Sequence, residues 1–207
     1  MKDVWTMITR ASLLLCSVLM IGAFSALEAQ TRDYDCTCPT EALGVTNVPI
    51  CIGGVNYVVE VTRCQEYAPP LLAEICGGSL LQDRYTTITK VCFVGAKPTP
   101  IDPRAVFNAI LWAMNPCLNP GLFDASVPIP IGSIYCWTVM TPKCVFVNQG
   151  TGCITKCGDG CCALARRWIR KADGSCQLDN IWSCEIPTTN CISSCTLLDC
   201  PLPEPCL

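Results

Sequence analysis

The sequence predicts a mainly β fold of the α+β kind: a small secreted domain, dense in disulfides, with short antiparallel strands and one helix near 102–115. Three observations predict it. The 207 residues include 20 Cys and no His. Only 15% of them are charged, against roughly 25% in ordinary soluble domains. Between turns rich in Gly, Pro and Asn lie short stretches in which β-branched and aromatic residues alternate with polar ones, the pattern of half-buried strands.

Residues 1–29 read as a secretory signal peptide. Lys2 and Arg10 supply the positive start and 11–24 the apolar run, with Leu27 and Ala29 before a cleavage point at Gln30. The run falls short of the roughly 20 residues a membrane-spanning helix needs. Leu15 stands before Cys16 where lipid attachment requires a small residue, so lipidation is not expected. Cleavage leaves the net charge at -3 and leaves nineteen cysteines, with no later stretch able to span a membrane.

The remaining chain divides into a β-rich half with a helix (30–115), a Pro/Gly-rich loop (116–132), a Cys-rich β half (133–190) and a Cys/Pro-rich tail (191–207). In the first half, Gly53-Gly54 separates arms at 48–52 and 55–61, a hairpin signature. Val55, Tyr57, Val59 and Val61 share one face of the second arm. Residues 85–94 (YTTITKVCFV) form a further strand. Asp102 is a good N-cap, Pro103 suits the first helical position, and Val106, Ile110, Ala113 and Met114 recur at helical spacing with Phe107 and Leu111 beside them. Asn115-Pro116 stops the helix, and its apolar stripe reads as core. In the second half, 133–140, 143–148, 163–171 and 177–185 are strands. Turns fall at Thr141-Pro142, 148–152 and Asp173-Gly174. The tail is too rich in Pro for a central strand and reads as an extended segment clipped to the body.

The nineteen exported cysteines are Cys36, Cys38, Cys51, Cys64, Cys76, Cys92, Cys117, Cys136, Cys144, Cys153, Cys157, Cys161, Cys162, Cys176, Cys184, Cys191, Cys195, Cys200 and Cys206. In an oxidising compartment they form a disulfide framework. The rival, metal, is disfavoured because no Cys-x-x-Cys occurs, and that knuckle is what lets two thiolates of a tight turn grip one ion. The same absence excludes thioredoxin-type redox chemistry. Connectivity does not follow from spacing, with one exception. Cys161 and Cys162 are adjacent, so in an extended strand they face opposite sides and take different partners. The count is odd, which leaves one thiol over. Cys206, at the exposed end of the tail, is the expected free thiol, able to link two chains into a covalent homo-oligomer.

Composition excludes whole classes of function. Without His there is no Ser-His-Asp or Cys-His pair. No phosphate-binding or dinucleotide-binding glycine motif occurs. The acidic balance does not suit nucleic acid. No cofactor is implied. Asp102, Asp124, Asp159, Asp179 and Glu185 could in principle supply a carboxylate pair, but nothing in their spacing selects one, so the chain is not expected to be an enzyme. One charged cluster stands out: Arg166, Trp168 and Arg170 alternate on one strand face, where guanidinium groups can stack on the indole. Such a face suits an anionic polymer such as a cell-surface polysaccharide, or it guards a strand edge against aggregation. The functional expectation is therefore a secreted, disulfide-stabilised structural or binding module of the cell surface or extracellular matrix, with a protein or polysaccharide partner. The alternatives are a secreted inhibitor or toxin-like binder presenting the 116–132 loop and, last, a carboxylate-dependent hydrolase.

Overall fold

The computed structural model describes residues 36, 38, 43–67, 84–115, 131–132, 134–186 and 191–206. The expected signal peptide and most of the 116–132 loop lie outside them. The first hairpin closes at Gly53-Gly54, where both residues take positive φ, 55° and 78°. A two-residue turn needs that pair of left-handed conformations to match the twist of its strands, and glycine adopts it without a Cβ clash. From it run β1 (Gly44–Ile52) and β2 (Val55–Tyr67), antiparallel, with Ile52 opposite Val55. Val48, Ile50, Val59 and Val61 turn into the core, and Val45, Asn47, Pro49 and Val58 face solvent.

β3 (Arg84–Phe93) lies antiparallel on the other side of β2. Thr62 opposes Lys90 while Arg63 opposes Ile88, so Thr89 is an extra residue in β3. Its hydroxyl donates to the Thr62 carbonyl at 3.3 Å. The helix α1 (Pro103–Ala113) follows. Asp102 caps it as the sequence predicts, its carboxylate accepting the Arg104 N–H at 2.9 Å.

β4 (Ile134–Pro142) then pairs with β3 in parallel, Tyr85 to Thr87 against Thr138 to Met140. This pairing alone departs from the antiparallel pattern that the other seven pairings of the described strands follow. A parallel pair needs a crossover of a dozen or more residues, usually helical, and α1 is that crossover. Strands before and after the 116–132 loop therefore belong to one sheet.

The two edges of β3 are used differently. β2 covers one along its whole length; the other is divided. β4 takes the first part, and β6 (Cys153–Lys156) takes the second, antiparallel, with Lys90 opposite Thr155 and Cys92 opposite Cys153. At Thr141-Pro142 the chain makes no turn, contrary to the sequence reading: both residues still belong to β4. It steps sideways into β5 (Cys144–Asn148), and β6 folds back into the gap between β5 and β3. β7 (Cys161–Arg170) and β8 (Cys176–Ile186) extend the other wing beyond β4, and β9 (Thr196–Leu197) edges β5. The nine-stranded sheet thus runs β8-β7-β4-β3-β6-β5-β9, with β2 and then β1 leaving β3 on its other edge.

One face of this sheet and α1 form the core. Val106, Phe107, Ile110, Leu111 and Met114 pack with Val59, Val61, Val91, Trp137, Val139 and Leu164. The tail closes over the helix: Leu198 is buried in the same core, and the Leu202 N–H donates to the buried Asn108 Oδ1 at 3.0 Å.

Disulfides lace these layers. Cys36 bonds to Cys161, Cys38 to Cys64, Cys51 to Cys206, Cys92 to Cys153, Cys144 to Cys191, Cys157 to Cys195 and Cys162 to Cys200. Cys176 is disulfide-bonded as well. The side chains of Cys76, Cys117, Cys136 and Cys184 lie outside the described residues. The assignment of Cys206 as the spare thiol is overturned, because the tail brings it back to the end of β1 and pairs it with Cys51. Every cysteine of the tail is bonded, each to a different part of the body. Among the described residues no helix is long and apolar enough to cross a membrane.

Candidate functional site

The structure does not present Arg166, Trp168 and Arg170 as a surface. Arg166 is 0% exposed and Trp168 3% exposed; Arg170 is half-buried. The reason is the place of β7. It is no edge strand but lies between β4 and β8, and Cys161 to Arg166 are buried without a break. A run buried at every position is the mark of a strand covered on both faces. The apolar stretch Cys161-Cys162-Ala163-Leu164-Ala165 carries that signal in the sequence, and it outweighs the arginines that follow.

Arg166 does structural work at this position. Its Nη1 donates to the carbonyl of Leu111, one of the last-turn carbonyls of α1 that have no partner within the helix. A cation at that end also meets the negative pole of the helix dipole. The guanidinium carbon lies 5.8 Å from the centre of the Trp137 ring, within the range of a cation–π contact. Trp137 is anchored in turn by its Nε1–H, which donates to Thr86 Oγ1 at 3.0 Å. This network ties α1 to β3, β4 and β7. The neighbouring Arg167 points the other way and pairs with Asp179 on β8, its Nε donating to the carboxylate at 2.5 Å. Asp179 is the extra residue of a bulge, since Arg167 opposes Asn180 and Trp168 opposes Leu178.

The surface on offer lies elsewhere, on the side of the sheet turned away from α1. The registers line up two rows across five strands. One runs Val45, Thr62, Lys90, Thr155, Phe146, and the next runs Asn47, Glu60, Cys92, Cys153, Asn148. Val45 is 60% exposed and Phe146 43% exposed, and Val58 and Val94 are exposed beside them. Lys90 is exposed in the middle of the first row. The Phe93 N–H donates to the Gly152 carbonyl at 3.0 Å. This makes Phe93 and Gly152 the hydrogen-bonded pair and leaves Cys92 and Cys153 as the closer, non-hydrogen-bonded pair. Their disulfide therefore braces the face from strand to strand where β3 and β6 share three residue pairs. Sequence reasoning missed this face because it depends on β6, a four-residue strand hidden between glycine turns.

Among the described residues no three Cys, Asp or Glu side chains gather as a metal site would need. No family of proteins, no curated protein and no solved structure matches the chain. The site has to be read from its own chemistry. It is a mixed surface of hydroxyls, amides, the Lys90 ammonium and Glu60 carboxylate, an exposed ring and scattered valines, held on a covalently braced sheet.

Proposed function

We propose that the chain is a secreted structural or binding module of the cell surface or extracellular matrix, and that the outer sheet face is its contact surface. The observation that carries this reading is the lacing itself. Among the described residues seven disulfides join Cys36 and Cys38, the sheet, and the tail to one another. Disulfides at such density belong to extracellular proteins, and they present a surface already ordered, so little conformational entropy is lost when it binds. Side by side across three strands, Thr62, Lys90 and Thr155 supply donors and Phe146 an apolar plane, a combination suited to a protein or a polysaccharide partner.

The test is where the protein resides. The full chain and a Lys90→Glu/Phe146→Ser variant are expressed in the producing cells, and medium, surface and insoluble matrix are assayed. Both substitutions fall on the solvent side, where effects on stability are small. The expected result is wild type held on the surface or matrix and the folded variant released into the medium. Wild type and variant alike found free in the medium contradict the reading.

A further inference from the structure

The tail holds a device that the proposed binding role does not use. Among the seven disulfides whose two cysteines are both described, Cys51–Cys206 is set apart by position. Cys36–Cys161, Cys38–Cys64, Cys144–Cys191 and Cys162–Cys200 each include a buried cysteine. Cys92–Cys153 and Cys157–Cys195 join half-buried residues, whereas Cys206 is exposed and Cys51 half-buried. Access governs which disulfide a thiol attacks first.

The chain beyond Cys200 also depends on this bond more than other segments depend on theirs. Up to Cys200 the tail is fixed by three other disulfides, by the pairing of β9 with β5 and by the buried Leu198. From 201 to 206, among the described residues, what remains is the burial of Pro201, the Leu202 N–H donated to Asn108 Oδ1, and Cys51–Cys206. Beneath lies α1 at Asn108, a polar side chain otherwise withdrawn from water.

We propose that Cys51–Cys206 is a redox latch, whose reduction releases 201–206 from α1 and opens the helix at Asn108 while the rest of the fold stays laced. The reductant is a dithiol. One of its thiolates attacks the Cys206 sulfur, the S–S bond breaks, and Cys51 leaves as the thiolate. The second thiol of the reductant then displaces Cys206, so the dithiol becomes a disulfide and the protein gains two thiols. Opening exchanges one hydrogen bond for contacts with water and uncovers Pro201, while Leu198 and the three disulfides up to Cys200 stay in place. Reoxidation closes the latch.

The experiment treats the folded, oxidised full chain with a limiting amount of dithiothreitol and blocks new thiols with iodoacetamide. Peptide mass spectrometry and amide hydrogen exchange follow. The latch predicts that Cys51 and Cys206 are alkylated together and before any other pair. It also predicts that exchange at Leu202 rises about tenfold or more while β7 keeps its protection. A Cys51→Ser/Cys206→Ser variant is expected to show the same exchange pattern without reductant. Alkylation that begins at Cys92 and Cys153 or at Cys157 and Cys195 overturns the proposal. So does a Leu202 amide that stays as protected in the reduced protein as in the oxidised one.

Discussion

Arg166 shows how a single position reverses its meaning between sequence and fold. Alternation correctly puts Arg166 and Trp168 on one face of a strand, but it cannot say which face is covered. That is decided by β4 and β8 on either side of β7 and by the end of α1 above it. The consequence is measurable. A surface substitution shifts stability by at most about 0.5 kcal/mol. Arg166→Ala instead removes a charge-assisted hydrogen bond and leaves a cavity, and Trp168→Ala leaves a larger one; each is expected to cost about 3 kcal/mol or more. Arg166→Lys does not restore the loss, because a single ammonium cannot both reach the Leu111 carbonyl and stack on Trp137 as a planar fork does. Urea unfolding of the disulfide-intact variants checks this, and midpoints equal to wild type contradict the buried placement.

At the scale of elements, what is local was legible and what is paired was not. Gly53-Gly54, the Asp102 cap and the helical stripe are written in adjacent residues, and each element stands where the sequence put it. β6 and β9 escaped because strands of four and two residues exist only through their neighbours. Pro49 shows a subtler local rule. Ile52 and Val55 close the hairpin as a hydrogen-bonded pair, so alternate residues of β1, Pro49 among them, point their backbone away from β2. A proline there costs no ladder bond and removes a donor from the sheet edge. The second hairpin turns at Asp173-Gly174. The Gly174 N–H donates to the Lys171 carbonyl at 3.0 Å, and Gly174 takes φ 83°, the bulged three-residue loop that demands glycine. Asp173 fastens it, accepting from the Ser175 hydroxyl at 2.6 Å and the Ser175 N–H at 2.9 Å. The Ser175 hydroxyl, its N–H and the nearby Lys171 hold the Asp173 carboxyl below its usual pKa. A carboxylate whose pKa falls on folding contributes stability above its unfolded pKa and loses it as pH drops through the lower folded value. The Ser175 amide should therefore stay protected down to about pH 4, the unperturbed carboxylate range, and lose protection only below it. Asp173→Ala should lose that protection at every pH, and a wild-type loss that begins near neutral pH contradicts the assignment.

Over the whole molecule, covalent bonds and burial divide the labour. A core of one helix on one sheet face stabilises the centre. Cys36, Cys38 and the tail from Cys191 are tied down by sulfur instead. The adjacency of Cys161 and Cys162 told in advance that two partners would lie on two sides. It could not tell that the partners would be Cys36 and Cys200, since those lie far apart in the sequence and meet only because β7 is an inner strand. Loss of one native bridge typically removes 2–5 kcal/mol from a total of about 5–15, so the fold depends on this connectivity. The most direct test is to map it. Stepwise partial reduction with alkylation, followed by fragmentation mass spectrometry that separates Cys161 from Cys162, should find Cys161 joined to Cys36 and Cys162 joined to Cys200. Either cysteine joined to Cys153 or Cys157 in its own neighbourhood would contradict an inner β7 bridged on both faces.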